Sequence, residues 1–483
     1  MPQHDDEMQK RREKREAMRK KREAETKRMK RRVILAAVVL ALCGFGIFRL
    51  SRSVQPPEGT ATQQAEEQKQ PKPTEKPRQT EPTNPVYQDP ITIIHIKAAG
   101  DLNITDNVIQ AGLSAGGYDY SRAFKDIAAI LADADLTVMN FEGNISGEPY
   151  GTATTSAPPE ILKGLRAAGV DLLQVANSCI INNGMIGLTS TLQAIRSAGI
   201  EPMGAFTTAT ELRASKGYTI TEVRGVKVAF VAFTKGIGGR GMPAGNEDLV
   251  NLLYTDYATT YQEIDRDRID KILKNVETEK PDITIAMLHW GSEYNDDISK
   301  TQNSIVSLMK KRGVDVILGT HPHTLQPVVY DSIAGTLVAY SLGDFFGDAE
   351  RGATNYSIIL DLEITKDATT GVTKVTDYSY TPIYTVKEEE CDGYRRVVRI
   401  DKALEAYNEN FLDKITAACK DSMEYALVRI EERMAVPTEV SCPECEKPVE
   451  VQANSKTGIL VTDGSCGKCS AKLPAGSNVS DYD

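Results

Sequence analysis

The chain has 483 residues, too many for one small domain, and 41% of them are hydrophobic, which is enough to bury a sizeable core. Its net charge of -10 is unevenly distributed. Residues 1–32 hold 14 lysines and arginines against 7 acidic residues, so the remaining chain carries -17. A basic tip on an acidic body argues against nucleic-acid binding by the body and indicates a membrane topology signal. The eight cysteines are too few and too scattered for the dense disulfide framework of a small secreted protein.

A membrane anchor is predicted directly after the basic segment. Residues 33–48 form an uncharged apolar run, slightly shorter than the roughly 20 residues that span a bilayer. The arginines on both sides lengthen this run because their side chains reach the lipid headgroups. No Ala-x-Ala-like cleavage site follows, which favours an uncleaved signal anchor at 33–50 over a cleavable signal peptide.

The basic segment then sets the orientation. Since basic flanks stay on the cytoplasmic side, we expect a single-pass protein of the cell membrane with a cytoplasmic N-terminus and an extracellular body. Contact of residues 1–32 with anionic lipid headgroups is the other interpretation of the same charges.

Beyond the anchor the composition changes twice. Residues 51–89 are rich in Gln, Glu, Lys, Pro and Thr and poor in large apolar residues, so we expect a disordered linker. From residue 90 to 400, short β-rich runs alternate with helical patterns, which predicts an α/β domain. Residues 357–400 look more purely β. Apolar residues at helical spacing predict one long or two shorter helices in a connector at 401–435.

Each predicted strand of the domain ends in a polar signature. Because the carboxyl ends of strands in α/β sheets are where ligands bind, these signatures predict one site at a shared edge. They are Gly100-Asp101, Asn140-Phe141-Glu142-Gly143, Ala176-Asn177-Ser178-Cys179, His289-Trp290-Gly291, Gly319-Thr320-His321-Pro322-His323 and Ser341-Leu342-Gly343-Asp344.

Histidines concentrate in these signatures, which hold His289, His321 and His323 of the five in the chain. His321 and His323 flank a proline, and an extended backbone there would put both rings on one side. Imidazole with carboxylate and amide oxygens suits Zn, Mn or Fe, which hydrolytic sites use to activate water. Ordinary alternatives exist. His289 alone is more often structural, His95 lies mid-strand and reads as a satisfied residue, and Asp344 caps a helix as readily as it binds a metal.

Three further pieces complete an ordered set of motifs. They are Ala157-Pro158-Pro159-Glu160, the continuation Ser292-Glu293-Tyr294, and the Tyr340 and Phe345 that enclose the last signature. In this order the set resembles the CapA-type family of bacterial capsule proteins associated with poly-γ-glutamate synthesis, which is related to calcineurin-like metallophosphatases. The resemblance covers residues 91 to about 350. It implies a four-layer α-β-β-α metallophosphatase-like sandwich with a metal site at the strand ends. The metal ligands, or their close neighbours, that it implies by position are Asp101, Glu142, Asn177, His289, His321 and His323.

One loop departs from the family pattern. The family typically has an Asn-Asn-His-x-x-Asp-like loop after the third strand, whereas this chain has Asn177-Ser178-Cys179-Ile180-Ile181-Asn182. In related phosphoesterases that histidine supports charge on the leaving group or nucleophile, and Cys179 is a poor substitute for a cationic donor. Asp344 also stands where the family usually has Asn. We therefore expect metal binding to survive better than catalysis. The catalytic residues implied by the resemblance are Asp101, Asn177, His289 and Cys179.

The C-terminal segment 436–483 carries the most specific local pattern. The pairs Cys442-x2-Cys445 and Cys466-x2-Cys469 enclose twenty residues that read as a β-hairpin, which matches a four-thiolate structural zinc ribbon. So small a module needs the metal because it cannot build its own core. A pair of disulfides is the alternative, since the module is expected outside the cell. Four thiolates leave no open coordination position, so its role is structural or in docking a partner.

Three functions follow as hypotheses. The leading one is a cell-surface protein of capsule or poly-γ-glutamate biosynthesis, a metal-dependent hydrolase or transferase that acts on an extracellular anionic polymer or cell-wall component beside other capsule-synthesis proteins. The second is a catalytically degenerate binding or scaffold protein of the same fold, suggested by Cys179 and Asn182. The third is a metallophosphoesterase for small phosphate esters.

Overall fold

The computed structural model describes residues 90–409, 415–454 and 456–482. The basic segment 1–32, the anchor 33–50 and the linker 51–89 that we expect from the sequence lie outside these residues. Within the described part of the chain, no helix combines the length and the apolar character needed to cross a membrane.

Two mixed β-sheets form the centre of the domain. The strands of the first sheet are β1 (Ile91–Asn103), β4 (Leu136–Glu142), β5 (Leu172–Gln174), β6 (Glu201–Met203), β13 (Asp344–Phe346), β14 (Tyr356–Asp367), β15 (Val372–Val386) and β16 (Arg396–Arg399). The strands of the second are β7 (Thr219–Val223), β8 (Val226–Thr234), β9 (Ile283–His289), β10 (Val316–Thr320), β11 (Leu325–Asp331) and β12 (Thr336–Leu342). A short hairpin, β2 (Leu113–Ser114) with β3 (Gly117–Tyr118), stands apart.

Both sheets combine parallel and antiparallel strands: the parallel strands form one side of the first sheet, out to its edge strand β6, and the middle of the second. The first sheet has the order β16-β15-β14-β1-β4-β5-β6, with β13 paired to the end of β1, and the second has the order β11-β12-β10-β9-β8-β7. In the first, β1, β4, β5 and β6 run parallel. In the second, β8, β9, β10 and β12 run parallel. The carboxyl ends of these parallel strands carry the polar signatures.

Three clusters of buried side chains separate the layers. Side chains of both sheets, among them Ile96 and Phe230, share the central cluster. The outer face of the first sheet contributes Phe141 to a second cluster together with Phe124 of a helix, and a third cluster joins the second sheet to its own helices. This order of helix, sheet, sheet and helix confirms the four-layer α-β-β-α sandwich. The helices of the domain are α1 (Asp106–Ala111), α2 (Ser121–Ala132), α3 (Glu160–Ala167), α4 (Gly184–Ser197), α5 (Ala209–Ser215), α6 (Arg266–Glu279) and α7 (Lys300–Lys311).

The sequence explains these helices locally. In α2 the buried residues Phe124, Ile127 and Leu131 recur at helical spacing, so one face packs on the sheet. Helix α7 begins at a capping box in which Ser299 Oγ accepts from Gln302 N and Gln302 Oε1 accepts from Ser299 N. Both backbone donors at the start of α7 are thereby satisfied.

The segment 401–435 forms two helices, α8 (Ile400–Asn408) and α9 (Ala417–Arg433). Ile400, Cys419 and Met423 on them are fully buried in the central cluster between the sheets. The helices expected as a connector therefore complete the core of the domain, and Cys419 acts as a small apolar packing residue.

The C-terminal module consists of two antiparallel strand pairs, β17 (Ala435–Ser441) with β18 (Pro448–Asn454) and β19 (Gly464–Ser465) with β20 (Lys472–Leu473). After β18 the chain turns back, and Ala453 pairs with Leu460 in a short hairpin between the two cysteine pairs. The module packs on the domain, where Asn454 Nδ2 donates to Glu431 Oε2 of α9 at 2.6 Å and to Tyr380 Oη at 2.9 Å.

Candidate metal centre

The polar strand ends of both sheets meet at one edge. Strand β1 pairs with β4 and β13, which places Asp101 beside Asn140 and beside Asp344. Strand β9 pairs with β10, which places His289 beside Thr320. The polar strand ends that we expected at one edge are therefore brought together. The described side chains there that could hold a metal ion are Asp101, Glu142, His289, Glu293, His321, His323 and Asp344.

Glu142 lies between two clusters of ligand atoms. Its Oε1 is 3.5 Å from His289 Nε2, and its Oε2 is 3.8 Å from His323 Nε2. A carboxylate between two imidazoles offers one oxygen to each side. Within the described residues, the groups whose ligand atoms lie within 4.8 Å of one another here are Glu142–His289–His321, Asp101–His323–Asp344 and Glu293–His321–His323.

A buried hydrogen-bond chain fixes the orientation of His289. Gln174 Nε2 faces three backbone carbonyls at 3.2 to 3.4 Å, so its Oε1 faces Thr320. The Thr320 hydroxyl donates to that oxygen at 3.1 Å, and its own oxygen therefore accepts from His289 Nδ1 at 3.2 Å. The neutral form of His289 carries its one proton on Nδ1, so in that form Nε2, which faces Glu142 Oε1 and Ser178 Oγ, keeps its lone pair. Metal-ligating histidines are held in this way, with the second nitrogen hydrogen-bonded.

A second chain of amides orients Asp101. Its Oδ1 accepts from Asn140 Nδ2 at 2.6 Å, and its Oδ2 accepts from the backbone N–H of His321 at 3.0 Å. Asn140 Oδ1 in turn accepts from Asn177 Nδ2 at 3.0 Å, and Asn177 Oδ1 accepts from Cys179 N at 3.1 Å. Asn177 thus supports Asp101 through Asn140. Its role as a metal ligand stays a prediction.

The backbone around His321 and His323 is not extended, so that expectation is wrong. The φ angle is +93° at His321 and +61° at His323, and both residues are in the left-handed region. Both rings still reach the centre, with centroids 6.2 Å apart. They face different partners: His321 lies 4.5 Å from the His289 ring centroid, and His323 Nδ1 lies 2.7 Å from Asp344 Oδ1. Such backbone strain costs about 1–3 kcal/mol per residue and clusters at functional sites.

The charges of the centre are unbalanced. Burial lowers the pKa of His321 well below its ordinary value, so its ring is neutral. Burial acts in the same direction on His323, but Asp344, Glu142 and Asp101 outweigh it and raise the pKa of His323 well above its ordinary value. This histidine faces three buried carboxyl groups, those of Asp101, Glu142 and Asp344. Burial raises the pKa of Asp101 and raises the pKa of Asp344 to about 7, so a divalent cation would stabilise the charged form of both groups.

Two buried atoms of the centre lack a hydrogen-bond partner among the described residues: Glu142 Oε2 and His321 Nδ1. An unsatisfied buried polar atom costs about 1–3 kcal/mol, and native proteins rarely leave one without water or an ion. Carboxylate oxygen and imidazole nitrogen are ligands of Zn, Mn and Fe. The residues present therefore fit a divalent metal ion.

The family model of the bacterial capsule synthesis protein PGA_cap matches residues 95–349. That span is more than half of the chain and holds every ligand of the centre. The chain belongs to the PGA_cap family. Among its relatives, the PGA biosynthesis protein CapA of Bacillus subtilis (strain 168) is 28% identical over 255 residues, which cover 51% of this chain and 62% of that protein. The capsule biosynthesis protein CapA of Bacillus anthracis is 26% identical over 305 residues, which cover 60% of this chain and 69% of that protein. The match thus spans less than two thirds of the Bacillus subtilis relative.

This PGA_cap protein is less similar to the solved structures than to these relatives. The calcineurin-like phosphoesterase YfkN from Bacillus subtilis is 16% identical and matches 70% of this chain and 98% of its own, with a TM-score of 0.39. A 5'-nucleotidase precursor from Thermus thermophilus is 12% identical over 72% of this chain and 62% of its own, with a TM-score of 0.36. Scores this low carry no weight, so the four-layer architecture rests on the chain's own sheets and helices.

The loop that departs from the PGA_cap pattern lies at the rim of the centre. Burial raises the pKa of Cys179 far above its ordinary value, so the thiol stays protonated, and Cys179 belongs to none of the ligand groups found in the described residues. Asn182 Oδ1 accepts from Arg240 Nη1. It is Ser178 that contacts a ligand, with its Oγ 3.0 Å from His289 Nε2. A catalytic role for Cys179 stays a prediction.

The four cysteines beyond the PGA_cap match form a second centre. Cys442 Sγ lies 3.4 Å from Cys469 Sγ, and Cys445 Sγ lies 3.6 Å from Cys466 Sγ, each pair joining the two CxxC knuckles. The thiols are unbonded, and all four lie within 4.8 Å of one another. Four sulfurs around zinc at about 2.3 Å lie roughly 3.8 Å apart in a tetrahedron. The geometry fits the expected structural zinc.

Sequence reasoning missed the residues that support the ligands. Gln174 and Thr320 orient His289, and Asn140 orients Asp101. Asn140 and Thr320 stand in two of the polar signatures but were given no role, and Gln174 lies outside all of them. The signal for Gln174 is a polar residue that ends a short, wholly buried strand. Asp344, which we weighed as a helix cap or a ligand, begins strand β13 and pairs with His323.

Proposed function

We propose that this chain is a membrane-anchored extracellular enzyme of capsule or poly-γ-glutamate biosynthesis that hydrolyses or transfers a bond of a surface polymer with the help of a divalent metal ion. The observation that carries the proposal is a pair of buried atoms, Glu142 Oε2 and His321 Nδ1, that have no hydrogen-bond partner among the described residues. The names of the two Bacillus relatives, PGA and capsule biosynthesis proteins, supply the substrate class. The anchor at 33–50, the extracellular location and the partnership with other capsule-synthesis proteins rest on the sequence.

Some side chains of the centre would hold the metal ion, and others would orient those ligands or the substrate. A bound divalent ion, Zn, Mn or Fe, would supply Lewis-acid chemistry that polarises a substrate oxygen and stabilises developing negative charge. Thr320 accepts the Nδ1 proton of neutral His289, so the Nε2 lone pair can bind the metal. Ser178 Oγ, which lies 3.0 Å from that nitrogen, would then be available to hydrogen-bond a substrate oxygen. The residues that would hold the metal are Asp101, Glu142, His289, His321, His323 and Asp344.

A catalytically degenerate scaffold of the same fold is the second candidate. The observation in its favour is the loop at the rim, where a neutral thiol stands at residue 179 and the Asn182 amide is engaged by Arg240. The Cys179 thiol does not supply the cationic hydrogen bond of the histidine expected there, and the Asn182 amide lacks the charge of the aspartate expected there. Such a protein would bind metal and polymer without turning the polymer over.

One comparison separates these functions. The full chain in detergent is supplied with Zn, Mn or Fe, and metal content is measured together with cleavage of a γ-linked glutamate polymer and of a phosphoester. Wild type should hold metal beyond the ribbon zinc and cleave the polymer. His321→Ala should lose the strand-end metal and reduce the rate by more than the 10- to 100-fold that outer-shell losses cost. His95→Ala is the matched control, since His95 pairs with Asp361 on the surface.

The other outcomes are equally distinct. Wild type that holds only ribbon zinc would remove the basis of both enzyme functions. Metal binding without cleavage, with activity gained by Cys179→His combined with Asn182→Asp, would establish the degenerate scaffold. Cleavage of the phosphoester alone would establish the phosphoesterase.

A further inference from the structure

A polar cleft of about 370 Å³ opens beside the metal centre. Its walls come from three parts of the chain: the loop after β5 with Ser178, the loop after β8 with Lys235 and its glycines, and the loop after β9 with Glu293. His321 forms part of the wall, so a molecule in the cleft lies next to a metal-ligating ring. The cleft is the natural approach to the centre for a chain-like substrate.

Lys235 is a fixed cation in this cleft. The side chain is half-buried, its Nζ donates to Gly291 O at 2.6 Å, and it lies 4.7 Å from the centroid of the Tyr261 ring. No carboxylate of the residues that the structure describes lies within 4.0 Å of its Nζ. The hydrogen bond and the ring hold the ammonium in one place, so an incoming anion meets a pre-organised partner.

The glycines that follow Lys235 keep the cleft narrow and open. A Cβ at Gly236 would lie 2.7 Å from a carbon of the Tyr261 ring, and a Cβ at Gly238 would lie 3.0 Å from Ser178 O, so side chains there would push the walls apart. A Cβ at Gly239 would meet nothing within 4 Å. The loop therefore packs against two walls while its tip leaves space in front of Lys235.

Two effects act on the charge of Lys235: burial lowers its pKa, and the nearby charge of Glu293 acts in the opposite direction. Glu293 is the acidic residue of the lining, and it also forms a ligand group with His321 and His323, where a metal would neutralise it. Arg240 at the end of the loop is engaged by Asn182. Among the residues that the structure describes, Lys235 is the cation of the lining with no carboxylate within 4.0 Å. One such cation beside hydroxyls suits a singly charged oxyanion, whereas phosphate sites usually present an arginine fork or several donors.

We propose that Lys235, with Ser178 and the glycine loop 236–239, forms an oxyanion subsite that binds a free carboxylate of the polymer and places the neighbouring linkage at the metal centre. The choice of polymer rests on the proposed function. Lys235 is then a specificity residue that binds the negative charge of the polymer unit next to the bond that reacts. A positioning residue of this kind acts on binding and leaves the metal ligands unchanged.

The test uses the full metal-loaded chain in detergent and a fluorescent γ-linked glutamate hexamer. A second hexamer has its free carboxylates converted to carboxamides. Lys235→Met should raise the Kd of the charged hexamer about tenfold, which corresponds to about 1.4 kcal/mol, and should leave the Kd of the neutral hexamer and the metal content unchanged. Lys235→Arg should retain the preference for the charged hexamer. Lys274→Met, at an exposed lysine of α6 away from the cleft, should bind like wild type.

The result that overturns the subsite is a Lys235→Met protein that binds the charged hexamer like wild type, or that weakens both hexamers equally. If the Lys235→Met protein does not bind metal, the Lys235→Arg protein is used instead. A metal-loaded Lys235→Arg protein that no longer prefers the charged hexamer overturns the proposal. Inorganic phosphate and glutarate are each tested as competitors of the charged hexamer. If phosphate displaces the hexamer at a far lower concentration than glutarate does, the subsite binds phosphate and the carboxylate proposal is overturned. Charge-dependent binding without cleavage supports the subsite while the enzyme proposal fails.

Discussion

A substitution at Thr320 tests whether metal binding depends on the buried hydrogen-bond chain that keeps the proton of neutral His289 on Nδ1. Thr320→Val keeps the shape of the side chain but removes the acceptor for His289 Nδ1 and the donor to Gln174 Oε1. Without that acceptor the His289 proton is free to move to Nε2, the nitrogen that faces Glu142. The ligand atom is then blocked in part of the population, so metal affinity should fall.

The structure sets the size of both effects. Loss of an outer-shell partner reduces metal affinity by about 10- to 100-fold, which is about 1.4–2.7 kcal/mol. Two buried groups, Gln174 Oε1 and His289 Nδ1, lose their partner, and at about 1–3 kcal/mol each the metal-free protein should lose roughly 2–6 kcal/mol of its free energy of unfolding.

The affinity is measured with Mn²⁺, because four thiolates in the ribbon select zinc. Free Mn²⁺ is followed by electron paramagnetic resonance, and stability by urea unfolding of the metal-free protein. Thr137→Val is the matched control, since Thr137 is also buried and its Oγ1 donates to Leu131 O at 2.7 Å, at the opposite end of β4 from Glu142. It should lose stability and keep the wild-type Kd. A wild-type Mn²⁺ Kd in Thr320→Val would refute the role of the chain.

Three further predictions concern other parts of the molecule. Cys469→Ser should lower the zinc content by one ion per chain and abolish amide-exchange protection in β18, because the module depends on metal for its fold; retained zinc and protection would contradict this. Phe230→Ala, fully buried between the sheets, should lower the free energy of unfolding by about 3–5 kcal/mol in urea titrations, and a loss under about 1 kcal/mol would show that the central core is misassigned. Cys179→Ser should leave the Mn²⁺ Kd unchanged, since the thiol lies outside the ligand groups of the described residues; a clear shift would place it among the ligands.

The sequence predicted the location of the site because local patterns determine it. Apolar runs that stop in polar residues mark the carboxyl ends of parallel strands, and parallel strands bring these ends to one edge. Asp101, Glu142 and His289 follow directly from that rule. The sequence did not decide the role of Asp344, because a carboxylate after a glycine can cap a helix as well as bind a metal.

The supporting residues follow from long-range contacts, which local patterns do not reveal. Thr320 and Gln174 are 146 residues apart in the chain, yet their hydrogen bond sets the tautomer of a metal ligand. The left-handed backbone at His321 and His323 is unfavourable for non-glycine residues taken alone. The loop after β10 contacts the first sheet, where His321 N donates to Asp101 Oδ2, and the local sequence does not reveal this contact. The extended conformation that we expected was therefore wrong.

These strained features argue together that the centre is built around an ion. Positive φ angles at His321 and His323 cost about 1–3 kcal/mol each, and the unpartnered Glu142 Oε2 and His321 Nδ1 add about 1–3 kcal/mol each. A domain with a net stability of about 5–15 kcal/mol tolerates this only where another interaction offsets it. Metal binding to the folded state alone stabilises it by about 2.7 kcal/mol at a hundredfold excess over Kd.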